Sequence, residues 1–309
     1  MGNMGRLTGF FRKRPVILHY HIFKNAGTTL DGALQHSFPG HFREINSEHA
    51  QGTVGADEIV RLVRDEPALK AISSHNTRLP LPRCSGVTFL PFVSIRHPVD
   101  RLVSVYEFEK KQADSTAYPS RELAGKSTLE EFLDRIINVE PFSGCNWQVN
   151  YLACGGNLTR LPGEPDFTQA CSVAGSLPFV GVVDRLDESM VVAEHLYGRK
   201  IKGLDLAYVS RNISRKRPDS LEARLAELKN NVSEGVYRRI SEANAMDGRL
   251  YDHCVELLSR ACGAVPHFAE KLLEFRQRCD SRKVEWEKCV REFEARKRVE
   301  NGAAGTSPG

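Results

Sequence analysis

His21-Ile22-Phe23-Lys24-Asn25-Ala26-Gly27-Thr28-Thr29-Leu30 decides the fold. The apolar run Val16 to Ile22 that leads into it reads as a strand, and the spacing from Thr28 to Ser37 reads as a helix. A strand that breaks into glycine and hydroxyl residues beside a lysine, then turns into a helix, offers free backbone N–H groups and a cation to an anion. The common nucleoside-triphosphate loop, G-x-x-x-x-G-K-[ST], carries its lysine after the glycines. Here Lys24 precedes Gly27, so a triphosphate loop is a poor match. For so short a stretch, an ordinary strand-to-helix turn with a surface lysine is the plain alternative.

A second stretch, Phe92-Val93-Ser94-Ile95-Arg96-His97-Pro98-Val99-Asp100-Arg101-Leu102-Val103-Ser104-Val105-Tyr106, repeats the logic. Arg96 stands at the end of an apolar strand, Pro98 sits where a helix starts, and Ser104 falls about two turns into that helix. A guanidinium fork matches the spread of phosphate oxygens, and a serine adds a neutral donor. Taken alone, Arg96 paired with Asp100 or Glu107 as a structural ion pair fits equally well. Two anion sites on strand–helix units of one chain are harder to set aside.

Outward from these motifs, short β-rich runs alternate with helices. Leu69 to Ser74, Phe89 to Ile95, Phe179 to Val183 and Ala207 to Ser210 read as strands. Ala56 to Arg64, Asp100 to Lys111, Thr128 to Asn138 and Glu188 to Tyr197 read as helices. The alternation predicts an α/β fold with a parallel sheet covered by helices, and ligands at the carboxyl ends of its strands. Both motifs lie at such ends. Phe268 to Phe293 carries apolar residues every three or four positions, interrupted by Arg282, and reads as a long amphipathic helix. It packs on the body or pairs with a second copy as a homodimer; the charged interruption favours packing.

The two motifs resemble the 5′-phosphosulfate loop and the 3′-phosphate site of sulfotransferases that use 3′-phosphoadenosine 5′-phosphosulfate (PAPS). The wording is closest to the carbohydrate branch, sulfotransferase family 2, with the heparan sulfate 2-O- and 6-O-sulfotransferases and their bacterial relatives. Asn146 to Leu152, Phe179 to Ser189, Arg211 to Ser214 and Asp247 to Tyr251 extend the similarity over about residues 15–260. The chain departs from the commonest pattern at Asn25-Ala26 and at His97, without losing a charged ligand. The resemblance implies a P-loop-like sulfotransferase fold and in-line transfer of a sulfuryl group to a carbohydrate hydroxyl, with PAP as product. Lys24 would contact the bridging oxygen, and Asn25, Ala26, Gly27, Thr28 and Thr29 would surround the 5′-phosphate, Ala26 to Thr29 through their N–H groups. Arg96 and Ser104 would take the 3′-phosphate. His75, which follows Ser73-Ser74 at a strand end, matches the place of the catalytic histidine between the two cofactor motifs.

Other candidates rest on the residues themselves. His75 has the side-chain type whose ordinary pKa suits a base near neutral pH, although a lone histidine after a strand is as readily a structural one. Asn146, Trp147, Gln148 and Tyr151 mix amides with aromatics, as sugar sites do, and core packing of the rings competes with that role. Arg211, Ser214 and Lys216 lie in a basic loop that would close over the adenosine end, or form a solvated charge run. His19 and His21 share a strand face, but spacing pairs no third metal ligand with them. A transferring sulfuryl group carries one negative charge fewer than a phosphoryl group, so no metal is expected. A nucleotide kinase and a non-catalytic nucleotide-binding module remain the alternatives, the first separable by its metal dependence.

Composition sets the outer limits. With 309 residues, 41% of them hydrophobic, the chain can build one substantial core. The organisation expected is an N-terminal extension over 1–14, a catalytic domain over 15–262, a helix over 263–302 and a disordered tail over 303–309. The net charge of +4 is too small to suggest nucleic acid. No run of about 18 apolar residues suggests a membrane span, and the first fourteen residues lack an apolar signal core. The eight cysteines have no C-x-x-C spacing and read as free thiols. A cytoplasmic location follows from these features, or the Golgi lumen if an anchor precedes this chain, since three N-x-[ST] tripeptides occur at Asn157, Asn212 and Asn231.

Overall fold

The structure, a computed structural model, describes residues 13–49, 52–112, 118–209, 218 and 220–304. Arg211, Ser214 and Lys216, most of the N-terminal extension and most of the expected tail lie outside the described residues.

Strand β1 (Arg14–Tyr20) is central, and its residues from Val16 to Tyr20 are all buried, four of those five being apolar or aromatic. It is flanked by β3 (Ala71–Ser74) and β4 (Val87–Ile95), with β2 (Phe42–Glu44) beyond β3 and β5 (Gly181–Val182) beyond β4. All pairings are parallel. The chain therefore builds one side of β1 through β2 and β3, then crosses to the other side with β4 and β5. That crossover opens a crevice at the strands' carboxyl ends, the usual ligand position in such sheets. The loop of Lys24, His75 after β3 and Arg96 after β4 leave three adjacent strands, roughly 5 Å apart from one to the next.

Helix α1 (Gly27–Ser37) buries Leu30, Ala33 and Leu34 against the sheet, and α2 (Ala56–Asp65) buries Ile59 and Val63. Helix α3 (Pro98–Lys111) starts with Pro98 in its first turn. Beside it, α4 (Pro119–Lys126), α5 (Leu129–Val139), α10 (Leu221–Asn231) and α11 (Glu234–Ala243) enclose a second apolar cluster around Leu102, Phe132, Leu133 and Ile240. The main core is completed by α7 (Trp147–Ala153), α8 (Glu164–Ser176), α9 (Leu186–Tyr197) and α12 (Ala245–Gly263), with the one-turn α6 (Pro141–Gly144) leading into α7.

One expected strand needs correction, and one strand was not expected. Of the strand expected over Ala207 to Ser210, Ser210 lies outside the described residues and Ala207–Val209 joins no ladder among them: the Ala207 carbonyl accepts from the Arg282 guanidinium, and the Tyr208 N–H donates to Cys279 Sγ at 3.4 Å. The Ala207 carbonyl and the Tyr208 N–H are thus satisfied by the C-terminal helix, and the Ala207 N–H by Asp205 Oδ1, instead of by a neighbouring strand. Conversely, the short edge strand β2 was not legible, since Phe42-Arg43-Glu44 has only one apolar residue.

The C-terminal helix, α13 (Phe268–Ala304), packs on the body along its first half. Phe275 is fully buried there, Arg278 pairs with Glu194 at 2.6 Å, and Arg282 pairs with Asp205 at 2.5 Å. Arg282, which interrupts the apolar stripe, is thus one of the residues that fasten the helix. Beyond it Val284, Trp286 and Phe293 are exposed. No helix among the described residues is long and apolar enough to cross a membrane.

Candidate active site

Between β1 and α1 the backbone reverses, and Lys24 (φ 65°) and Ala26 (φ 62°) both take the left-handed conformation. That costs about 1–3 kcal/mol for each residue bearing a Cβ and needs support. Asn25 supplies it. Its buried side chain donates to the Ser94 carbonyl and to Gln148 Oε1, both at 2.8 Å, while its carbonyl accepts from the Ser94 hydroxyl at 2.7 Å. Asn25 therefore braces the loop from beneath, and its side chain does not face a ligand. Helix α1 has no side-chain cap, so the N–H groups of Gly27 and Thr28 open its N-terminus to an anion. The Thr29 N–H is already bonded to the Ala26 carbonyl at 3.1 Å, which corrects the expectation that this amide reaches a phosphate.

Lys24 Nζ lies 4.4 Å from the centre of the Phe108 ring. Burial, reinforced by the neighbouring Arg96 charge, lowers its pKa to about 8. Arg96 joins the two motifs directly: Nη1 donates to the Lys24 carbonyl at 3.0 Å and Nε to Asp100 Oδ2 at 2.7 Å. The ion pair with Asp100 therefore exists. Among the described residues Asp100 is shared between Arg96 and Arg224, whose Nε lies 3.1 Å from Asp100 Oδ1.

Gln148 ties both motifs from the core. It is fully buried; Oε1 accepts from Asn25 Nδ2 and from the Arg96 N–H, and Nε2 donates to the Arg96 carbonyl, each at 2.8 Å. The expectation that Gln148 binds the acceptor is corrected on that ground, because every polar atom of its amide is spent inside. Asn146 is corrected likewise: it takes the left-handed conformation at the start of α7, and its Oδ1 accepts from the Asp247 N–H at 3.0 Å. Tyr151 borders the cavity but is 1% exposed, with its hydroxyl donating to the Thr77 carbonyl at 2.7 Å. Of that group Trp147 keeps a place on the wall.

The cavity over these strand ends has a volume of about 1520 Å³, and Lys24, Thr28, His75, Arg96, Ser104 and Trp147 all line it. Ordinary small-molecule pockets run to about 300–1,000 Å³, so this one has room for a nucleotide and a second substrate. His75 Nδ1 lies 3.0 Å from the His21 carbonyl. A carbonyl only accepts, so Nδ1 carries the proton and Nε2 keeps a lone pair. Burial, followed by the neighbouring His21, lowers the His75 pKa to about 4, so the ring is neutral at pH 7.

Beneath His75, Asp31 of α1 accepts from His19 Nδ1 through Oδ1 and from His21 Nδ1 through Oδ2, both at 2.8 Å. Asp31 is the third residue that sequence spacing did not pair with the two histidines. Their ligand-type atoms lie within 4.8 Å of one another, a grouping that a metal ion would also need. Separations of 2.8 Å between nitrogen and oxygen are those of shared protons, and the three side chains form a hydrogen-bonded triad. Burial pushes the Asp31 carboxyl upward, but its bonds and charge interactions with the two imidazoles outweigh this and hold it well below the usual carboxylate range.

The parallel sheet thus brings a lysine loop, Arg96 with Ser104, and His75 to one crevice. A family model described as the sulfotransferase family matches residues 9–253, and the chain belongs to that family. It is also similar to an uncharacterized protein of Archaeoglobus fulgidus, with 26% identity over 252 residues, 79% of this chain and 97% of that one. Membership supports sulfotransfer and sets aside the kinase reading.

Proposed function

We propose that this protein moves the sulfuryl group of PAPS to a hydroxyl of a carbohydrate acceptor. What carries the reading is that Lys24 and Arg96 line one cavity and are joined by the Arg96–Lys24 hydrogen bond. The residues suit such a donor: an open helix N-terminus with Thr28 and Thr29 hydroxyls for the 5′-phosphate, and Arg96 with Ser104 for the 3′-phosphate. PAPS brings a sulfuryl group joined to its 5′-phosphate through a labile S–O bond.

Sulfuryl transfer resembles phosphoryl transfer, in which positioning and charge stabilisation do most of the work. An S–O bond forms to the acceptor oxygen as the S–O bond to the 5′-phosphate breaks, and the electron pair stays with the phosphate. Lys24 stabilises that charge. The acceptor proton goes to His75 Nε2, the lone pair left by the bond of Nδ1 to the His21 carbonyl. Trp147 on the wall suits the C–H face of a sugar ring. We assign catalysis to residues 15–262 and treat α13 as an appended helix.

The test is incubation with ³⁵S-labelled PAPS and a glycan panel, with mass spectrometry of the product. Wild-type protein should label at least one glycan, and Lys24→Ala and His75→Ala should each lose about 100-fold or more. Absence of calorimetric binding of PAP would remove the donor assignment, whereas PAP binding without transfer to any glycan would remove the acceptor class.

A further inference from the structure

We propose that Asp31 and the His21 ring are positioning residues that hold the His75 ring against the His21 carbonyl, and so in its proton-accepting orientation and in a single tautomer. This rests on the reading of His75 as the base, and it concerns side chains which that reading leaves without a task.

His21 touches both halves of the site. Its carbonyl accepts the His75 Nδ1–H, and its ring lies against the His75 ring with centroids 3.7 Å apart and planes inclined by 37°. On its other side the ring presses on the phosphate loop: a Cβ built on Gly27 would fall 2.0 Å from His21 Cδ2 and 2.1 Å from Nε2. The imidazole is thus wedged between the loop and the base. Its orientation is set by Asp31, whose Oδ2 takes the His21 Nδ1–H at 2.8 Å. An ionised carboxylate only accepts, so in the neutral His21 ring Nδ1 carries the proton and Nε2 is left bare on the side of Gly27.

Asp31 cannot drift, because Oδ1 accepts from His19 Nδ1 at 2.8 Å and that nitrogen also lies 2.9 Å from Ser73 Oγ. Ser73 belongs to β3, the strand that delivers His75 two residues later. The chain His19–Asp31–His21–His75 therefore starts and ends on the β1–β3 pair and is closed by α1. When His75 accepts a proton, the Asp31 anion favours the resulting imidazolium, against the opposing effects of burial and of His21. A carboxylate that orients an imidazole by its Nδ1–H is a familiar arrangement for a histidine base. Here the orientation reaches the base through a second imidazole.

Asp31→Asn tests this, because an amide can accept from one imidazole but must donate to the other, forcing one ring out of its tautomer. ¹⁵N NMR of the histidine rings at pH 7 reads the outcome without any acceptor. In the wild type His75 should show Nδ1 protonated and Nε2 bare; in Asp31→Asn it should show a mixture of tautomers. His21→Asn retains a donor near the Nδ1 position for Asp31 while deleting the ring that rests on His75, and it should give the same mixture if Asp31→Asn does not fold. Calorimetric PAP affinity should stay within about twofold in both. Turnover of ³⁵S-PAPS with heparosan oligosaccharide as probe acceptor should drop about 10–100-fold in kcat with little change in KM.

An unchanged His75 spectrum in the variants overturns the proposal. So does a loss of PAP affinity equal to the loss in kcat, which would make Asp31 a mere support of the loop. Full turnover in His75→Ala would instead overturn the assignment of the base. If the wild type does not turn over the probe acceptor, the NMR comparison alone decides.

Discussion

Gly27→Ala should damage the site although alanine is the better helix former. Gly27 does not need a left-handed backbone; its side chain is excluded by contact. A Cβ there would stand 2.0, 2.1 and 2.5 Å from three atoms of the His21 ring, against a comfortable separation of about 3.5 Å. Something must retreat by roughly 1.5 Å. The ring cannot, since Asp31 holds its Nδ1 and His75 lies against its face. The first turn of α1 must therefore move, with its N–H groups. Overpacking of this kind costs about 1–3 kcal/mol. Alanine's helix propensity returns at most about 1 kcal/mol, and less at a first position. The net loss should lower the melting temperature by about 2–4 °C per kcal/mol. The greater effect falls on function, because a displacement near 1 Å costs about 100-fold in a preorganised site. PAP affinity by calorimetry should fall at least about tenfold, or 1.4 kcal/mol. His21→Ala in the same chain removes the obstacle and should return part of that affinity. A Gly27→Ala protein that melts no lower than the wild type and binds PAP as well would refute the steric argument.

Three further outcomes are expected. Because Lys24 has a pKa near 8 and an anion binds its cationic form, PAP affinity should fall as pH rises past about 8, by up to tenfold per unit. Calorimetry from pH 7 to 9 measures this, and Lys24→Arg, charged throughout, should flatten the curve. Gln148→Leu leaves the Arg96 N–H, the Arg96 carbonyl and Asn25 Nδ2 short of partners, at about 1–3 kcal/mol for each group that stays unpaired, so urea unfolding should show a loss of several kcal/mol. Ending the chain after Arg282 should leave melting and PAP affinity unchanged, because the described side chains beyond it are largely exposed; Phe275→Ala, at the buried anchor, should cost about 3–5 kcal/mol in the same urea assay.

Much of this was readable along the chain. Motif order placed Lys24 and Arg96 at strand ends, and the alternation of short apolar runs with helices gave the parallel sheet. Both signals are local, since a strand end and a helix start are written in a few consecutive residues. Gln148 and Asn146 were misjudged because an amide looks the same in sequence whether it faces a sugar or a neighbour 123 residues away, as Gln148 faces Asn25. Ala207–Val209 was misjudged because its β-type residues are not enough to make a strand when α13 takes their hydrogen bonds.

The amino-acid sequence alone therefore determined the family, the α/β class and the placement of Lys24 and Arg96 at strand ends, all of which depend on near neighbours and spacing. Only the tertiary structure decided which polar side chains are spent on the protein itself, that α13 folds back through Arg282, and that Asp31 reaches His19 and His21 together. Those depend on burial and on the saturation of hydrogen bonds between distant segments, and neither exists until the sheet has brought β1, β3 and α1 together.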